Sequence, residues 1–192
     1  MTRTFIAVEM NEDLQRHLSG VIHQVAQVLP GIRWVNPTGI HLTLAFLGEL
    51  DDEQLASAEQ AAEVVAKESY PFSYSLSRIG VFGSPRSPRV IWMGVDEPAG
   101  ALIAVHHALQ QELLARGFEV DTRPFSPHLT LARVKAPLKA EEQQQLQRLL
   151  SKEQTNRFSS KPYEAHALHV VKSELLRSGA HYSVLRECPF YL

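Results

Sequence analysis

The stretch His41-Leu42-Thr43-Leu44-Ala45 returns, residue for residue, as His128-Leu129-Thr130-Leu131-Ala132, a shift of 87 residues from position 41 to position 128. In a β-strand the side chains at i and i+2 share a face. His41 and Thr43 therefore project together, while Leu42 and Leu44 turn to the opposite side, and the second copy does the same. Each strand has an apolar face to bury and one imidazole and one hydroxyl to display. A single His-x-Thr would read as decoration of a half-exposed strand. Leucine and alanine recur wherever strands are buried, so the weight rests on the coincidence of both His and Thr in both copies.

The flanking patterns extend this repeat outward. Thr4 to Glu9 reads as a strand, Asn11 as a helix N-cap, and Leu14, Leu18, Val21, Ile22, Val25 and Leu29 recur at helical spacing before Pro30-Gly31. Short strands follow over Ile32 to Val35 and Ile40 to Leu47, then a helix from about Asp52 to Glu68. Phe72 to Phe82 and Val90 to Val95 read as strands joined by the loop Gly83 to Arg89. The later part offers a helix from about Ala99 to Arg116, strands over Phe118 to Val120 and Pro127 to Val134, a helix over Glu141 to Leu150, and strands over Tyr163 to Glu174 and Tyr182 to Glu187. With two copies and a long period this is no solenoid. The predicted architecture is α+β: one bilobal domain over residues 1–192, with repeat halves of approximately 1–97 and 98–192 related by a pseudo-two-fold axis. Two mainly antiparallel sheets would face a central cleft, with helices on the outside.

Composition narrows the chemistry. The chain of 192 residues is 44% hydrophobic and 21% charged, the balance of a globular protein of one core. Cys188 stands alone, so an internal disulfide and a cysteine-based zinc site are both excluded. A net charge of −2 argues against holding long duplex nucleic acid by phosphate neutralisation. No run reaches the roughly 18 apolar residues of a membrane span, and the first residues lack the apolar core of a signal peptide; a monomer in the cytoplasm is expected. Nine histidines are available near neutral pH.

Two imidazoles flanking a phosphorus atom suit hydrolysis of a strained cyclic phosphodiester. One takes a proton from water while the other, starting protonated, gives one to the leaving ribose oxygen, each transfer typically contributing about 10²- to 10⁴-fold. The threonine hydroxyls and a nearby guanidinium can bind the non-bridging oxygens. No metal and no cofactor is required. The adjacent His106-His107 diverge by about 100° on a helix, and His166 and His169 would face opposite sides of a strand, so neither pair is a convincing metal site.

The sequence resembles the two-histidine (2H) phosphoesterase superfamily, specifically the bacterial and archaeal RNA 2′,3′-cyclic phosphodiesterases once called 2′-5′ RNA ligases. The matching stretches are Arg3-Thr4-Phe5-Ile6-Ala7-Val8, Trp34-Val35, His41 through Glu49, Arg89-Val90-Ile91-Trp92, and Phe125-Ser126-Pro127-His128-Leu129-Thr130-Leu131-Ala132-Arg133. The resemblance implies hydrolysis of an RNA-terminal or nucleotide 2′,3′-cyclic phosphate to the 2′-phosphomonoester, with a reversible ATP-independent 2′-5′ joining activity. It implies His41 as the acid to O3′ and His128 as the base on water, with Thr43, Thr130 and Arg133 as substrate ligands. A catalytically idle RNA-end or nucleotide-binding module is the competing reading. Strict alternation would turn Arg133 away from His128, so a bulge or strand end is needed to re-aim it. Phe46 stands where the first copy would carry the arginine and is expected to serve the core. Arg3, Arg123 and Trp34 are further candidates for the cleft wall, Trp34 being better suited to the core; Arg86 and Arg89 read as solvated loop charges.

Overall fold

The structure, a computed structural model, describes residues 1–154, 157–177 and 179–191. Among the described residues, eight strands and four α-helices run in the order β1 (Thr2–Val8), α1 (Glu12–Val28), β2 (Leu42–Leu50), α2 (Asp52–Lys67), β3 (Phe72–Ser84), β4 (Ser87–Asp96), α3 (Ala101–Ala115), β5 (His128–Arg133), α4 (Ala140–Leu149), β6 (Tyr163–Ala165), β7 (Ala167–Leu176) and β8 (Gly179–Pro189). They form two four-stranded antiparallel sheets, ordered β2-β1-β7-β8 and β5-β4-β3-β6. This is the expected α+β arrangement.

The helices form where capping and apolar spacing agree. The Asn11 side chain accepts from the Leu14 amide at 2.8 Å, and Leu14, Leu18, Val21 and Val25 of α1 are buried; such a cap stabilises a helix by about 1 kcal/mol. Asp51 and Gln54 close a capping box on α2. The buried stripe Ala58, Ala61, Ala62 and Ala66 lets α2 lie close to β1, β7 and β8 and to α3. Gly100, at φ 83°, has no side chain with which to cap α3, and the Glu97 carboxylate does so instead, accepting from Leu102 N at 2.9 Å.

The strand order shows that the lobes exchange chain. The first sheet takes β1 and β2 from early sequence and β7 and β8 from late sequence. The predicted strand over Tyr163 to Glu174 is therefore two strands: β6 pairs with β3 in one sheet, the chain steps across at His166, and β7 pairs with β1 in the other. Both pieces bury apolar residues, Tyr163 and Ala165 on β6 and Ala167, Leu168, Val170 and Val171 on β7, so the pattern gives no sign of the break. The expected loop Gly83 to Arg89 is a tight hairpin, with β3 and β4 running to Ser84 and Ser87 around Pro85-Arg86. Gly83 permits it: φ is 93°, and a Cβ there would lie 2.7 Å from Ser87 O. Phe118 to Val120 forms no strand; Phe118 N donates to Leu113 O at 3.0 Å, and Phe118 and Val120 rest against the core. The short strand predicted over Ile32 to Val35 reduces to an isolated bridge between Trp34 and Ala132.

Each sheet ends on the strand that carries a His-x-Thr copy, and these edge strands, β2 and β5, touch along the junction of the lobes. The 87-residue shift also lays Thr2–Val8 of β1 on residues 89–95 of β4, the strand beside β5.

Candidate active site

The two histidines are held in one way by unlike supports. On the first side, Asn36 accepts from Thr38 N at 3.1 Å and caps the single 3₁₀ turn Pro37–Gly39, whose Gly39 carbonyl lies 3.2 Å from His41 Nδ1. On the second, Ser126 O lies 2.7 Å from His128 Nδ1. A carbonyl can only accept, so Nδ1–H donates in both rings and the neutral imidazoles keep Nε2 free for proton transfer. Ser126 sits in a long irregular segment, as functional loops often do. That segment is fastened to α3 by the Phe125 ring stacked on His106, with centroids 3.8 Å apart and planes 6° from parallel, and by Gln110 Nε2 donating to Asp121 O at 2.7 Å.

Aromatic rings wall each imidazole. His41 meets Phe5 at 5.2 Å and Tyr182 at 4.9 Å, both edge to face; His128 meets Phe82 at 4.8 Å edge to face, with Trp92 at 6.4 Å. Phe5 and Trp92 stand 87 residues apart, but their partners differ: Phe5 pairs with Phe46, Trp92 with Thr130. The Trp92 ring lies where a side chain at Gly80 would sit: a Cβ built there would be 2.2 Å from the indole. Burial holds the His41 pKa below the ordinary imidazole value, the Gly39 hydrogen bond partly offsets this, and nearby His169 lowers it further. His169 lies on β7 directly across from Ala7, which itself faces Thr43. Its position in the site depends on sheet pairing and has no sequence signal.

Both motif strands carry a bulge at the same place. On β2, Ile6 pairs with Ala45 and Ala7 with Thr43, leaving Leu44 as the extra residue; on β5, Ile91 pairs with Ala132 and Trp92 with Thr130, leaving Leu131. The amide of Val35 donates to the bulged Leu131 carbonyl at 2.9 Å. A bulge flips the alternation beyond it. Arg133, opposite Val90, thereby joins the face of His128 and Thr130. Phe46, opposite Phe5, joins the face of His41 and Thr43 and is 55% exposed, so it does not serve the core. The bulged leucines remain buried.

Among the other candidates, Trp34 packs partly buried on the core and donates from Nε1 to Leu29 O at 3.4 Å. Arg123 is engaged by Asp121 at 2.9 and 3.0 Å from Nε. The Arg3 guanidinium lies over the Phe46 ring, 5.0 Å from its centroid. Among the described residues no group of three or more His, Cys, Asp or Glu side chains is arranged to hold a metal ion, and no helix is long and apolar enough to cross a membrane.

Two antiparallel sheets meeting along paired His-x-Thr strands define the class of two-histidine phosphoesterases. The chain belongs to the LigT-like phosphoesterase family: the family model described as LigT like Phosphoesterase matches residues 8–92 and again 94–182. A Geobacillus stearothermophilus protein named RNA 2′,3′-cyclic phosphodiesterase is 38% identical over 129 residues, which are 67% of this chain and 41% of that protein, so the match spans less than half of that relative. A Thermotoga maritima protein of the same name is 36% identical over 69% of this chain and 70% of its own length. The crystal structure of Escherichia coli LigT complexed with 3′-AMP superposes with a TM-score of 0.73 at 25% identity, covering 100% of this chain and 99% of that one.

Proposed function

We propose that this chain hydrolyses the 2′,3′-cyclic phosphate at an RNA end, or on a nucleotide, to the 2′-phosphomonoester, using His41 and His128 as general acid and base without a metal or other cofactor. The observation that carries the reading is the doubled motif on touching edge strands, each histidine with Nδ1 tied to a carbonyl and Nε2 free. One imidazole removes a proton from water as its oxygen attacks phosphorus. The P–O3′ bond breaks and the other imidazole protonates O3′. Thr43, Thr130 and Arg133 bind the non-bridging oxygens, where charge accumulates in the transition state. The names of the Geobacillus and Thermotoga relatives support this substrate class.

With His41 as the acid, its lowered pKa leaves it mostly neutral in the empty cleft near pH 7. An anionic phosphate alongside favours the imidazolium, so the substrate itself helps to charge its acid. The test is incubation with 2′,3′-cyclic AMP in the presence of a chelator, with separation of 2′-AMP from 3′-AMP. Formation of 2′-AMP is expected. Exclusive 3′-AMP, or loss of activity on chelation, overturns the scheme; binding without turnover would favour the idle binding module.

A further inference from the structure

Each lobe carries an arginine on the face of its His-x-Thr pair, Arg133 on the edge strand β5 and Arg3 on the inner strand β1. By register the pair Phe5–Phe46 of the first lobe answers to Val90–Arg133 of the second, since Ala7 faces Thr43 as Trp92 faces Thr130. In the second lobe the inner-strand residue is Val90 and the edge-strand residue Arg133; in the first the inner strand carries Arg3 and the edge strand Phe46. Arg3 lies two residues before Phe5 on the same face of β1, so each lobe presents one guanidinium beyond its His-x-Thr pair.

Arg3 is on the cleft face by register. The two bulges of the β1–β2 pair put their extra residues, Leu44 and Leu47, on β2, so β1 keeps its alternation from Arg3 to Ala7, and Phe5, two residues on, touches His41. A strand rises about 3.3 Å per residue, so the Arg3 backbone lies about 7 Å farther along β1 than Phe5. The side chain is exposed and, unlike Arg16, Arg116, Arg123 and Arg186, takes no carboxylate partner among the described residues. Glu49 pairs with it in register, yet the guanidinium lies over Phe46. A guanidinium stacked on a ring keeps its N–H fork open at the edge, the geometry that suits a phosphate. In a protein of net charge −2, an uncommitted cation beside the cleft is well placed to attract an anionic substrate.

We propose that Arg3 forms a second phosphate site, binding the 5′-phosphate of the nucleotide whose 2′,3′-cyclic phosphate is being opened. In an RNA end this is the last internucleotide linkage; in a free nucleotide it is a 5′-phosphomonoester. The proposal rests on the phosphodiesterase reading above and adds a preference within it.

The experiment compares kcat/KM for three substrates of one base: a 2′,3′-cyclic nucleotide with a free 5′-hydroxyl, the same with a 5′-phosphate, and a dinucleotide ending in a 2′,3′-cyclic phosphate. The wild-type protein is expected to favour the dinucleotide over the 5′-hydroxyl substrate by about tenfold, the size of one charge-assisted hydrogen bond. Arg3→Gln should cut kcat/KM for the dinucleotide about tenfold more than for the 5′-hydroxyl substrate, and Arg3→Lys should restore part of the difference. A matching effect on the 5′-phosphorylated nucleotide identifies the phosphate alone as the ligand; an effect confined to the dinucleotide identifies the RNA linkage. Equal losses on all three substrates overturn the proposal, because Arg3 then only steadies Phe46. Absence of turnover on every substrate by the wild-type protein overturns the phosphodiesterase reading along with it.

Discussion

With His41 and His128 proposed to carry the proton transfers, the cost of losing either should be large. Replacing either with alanine is expected to lower kcat for a 2′,3′-cyclic nucleotide by about 10²-fold or more. The circular dichroism spectrum should not change, since neither side chain belongs to the buried core. Turnover surviving in either variant would dismiss the two-histidine scheme. Arg133 offers a finer test of its proposed phosphate contact, because the bulge at Leu131 puts a planar fork rather than a point charge on the face of His128 and Thr130. Arg133→Lys should recover only a small part of what Arg133→Ala loses in kcat/KM; full recovery would mean that charge alone matters there. The His41 environment predicts a pH signature. The rate should follow a bell, and the limb belonging to His41 should lie at higher pH in kcat than in kcat/KM, because an anionic substrate raises a pKa that burial holds down. A limb that does not move would show that the phosphate does not charge His41.

At the scale of elements, the site depends on how strands are phased and how closely they approach. The histidines and hydroxyls follow period two from the sequence alone, but Phe46 and Arg133 do so only through an inserted leucine on each strand. Gly80 is the point of closest approach in the second sheet, with the Trp92 indole laid over it and against His128. Gly80→Ala should displace that ring, destabilising the protein by about 1–3 kcal/mol as overpacking does and slowing turnover as the wall of His128 moves. A variant with unchanged melting temperature and kcat would show that the indole has room to shift. The segment carrying Ser126 is an element of another kind, irregular in backbone yet fixed by a ring stack to α3. Neither Gly80 nor His106 stands out in the sequence: one is a glycine within a strand pattern, the other half of a His-His pair.

Across the whole molecule, two imidazoles, His41 part-buried and His106 buried, make stability depend on pH. His41 and His106 are both held below the ordinary imidazole value, chiefly by burial. Unfolded imidazoles titrate near 6.5. The unfolded chain therefore binds more protons than the folded one as pH falls through that value, and stability, full above about pH 7, declines toward the folded pKa values. The melting temperature at pH 5.5 should be lower than at pH 7.5 at constant ionic strength, and His106→Phe, which keeps the stack on Phe125, should reduce the difference. A melting temperature that is flat or rises on acidification would contradict the sign. The lobes, built from exchanged strands, share one continuous buried core, so unfolding by heat should be a single transition.

The sequence determined the duplication, the faces of its two motif strands, the helices and the types of residue able to perform the chemistry, because these follow from local periodicity, capping and side-chain pKa. It did not determine that the strand pattern from Tyr163 to Glu174 divides between sheets at His166, that Leu44 and Leu131 are extra residues which turn Phe46 and Arg133 onto the faces of the His-x-Thr pairs, or that His169 and Tyr182 come to lie around His41. Only the tertiary structure decided these. Strand partners, register and bulges are fixed by long-range pairing, and a buried leucine reads alike whether it lies in step with its neighbour or one residue out of phase.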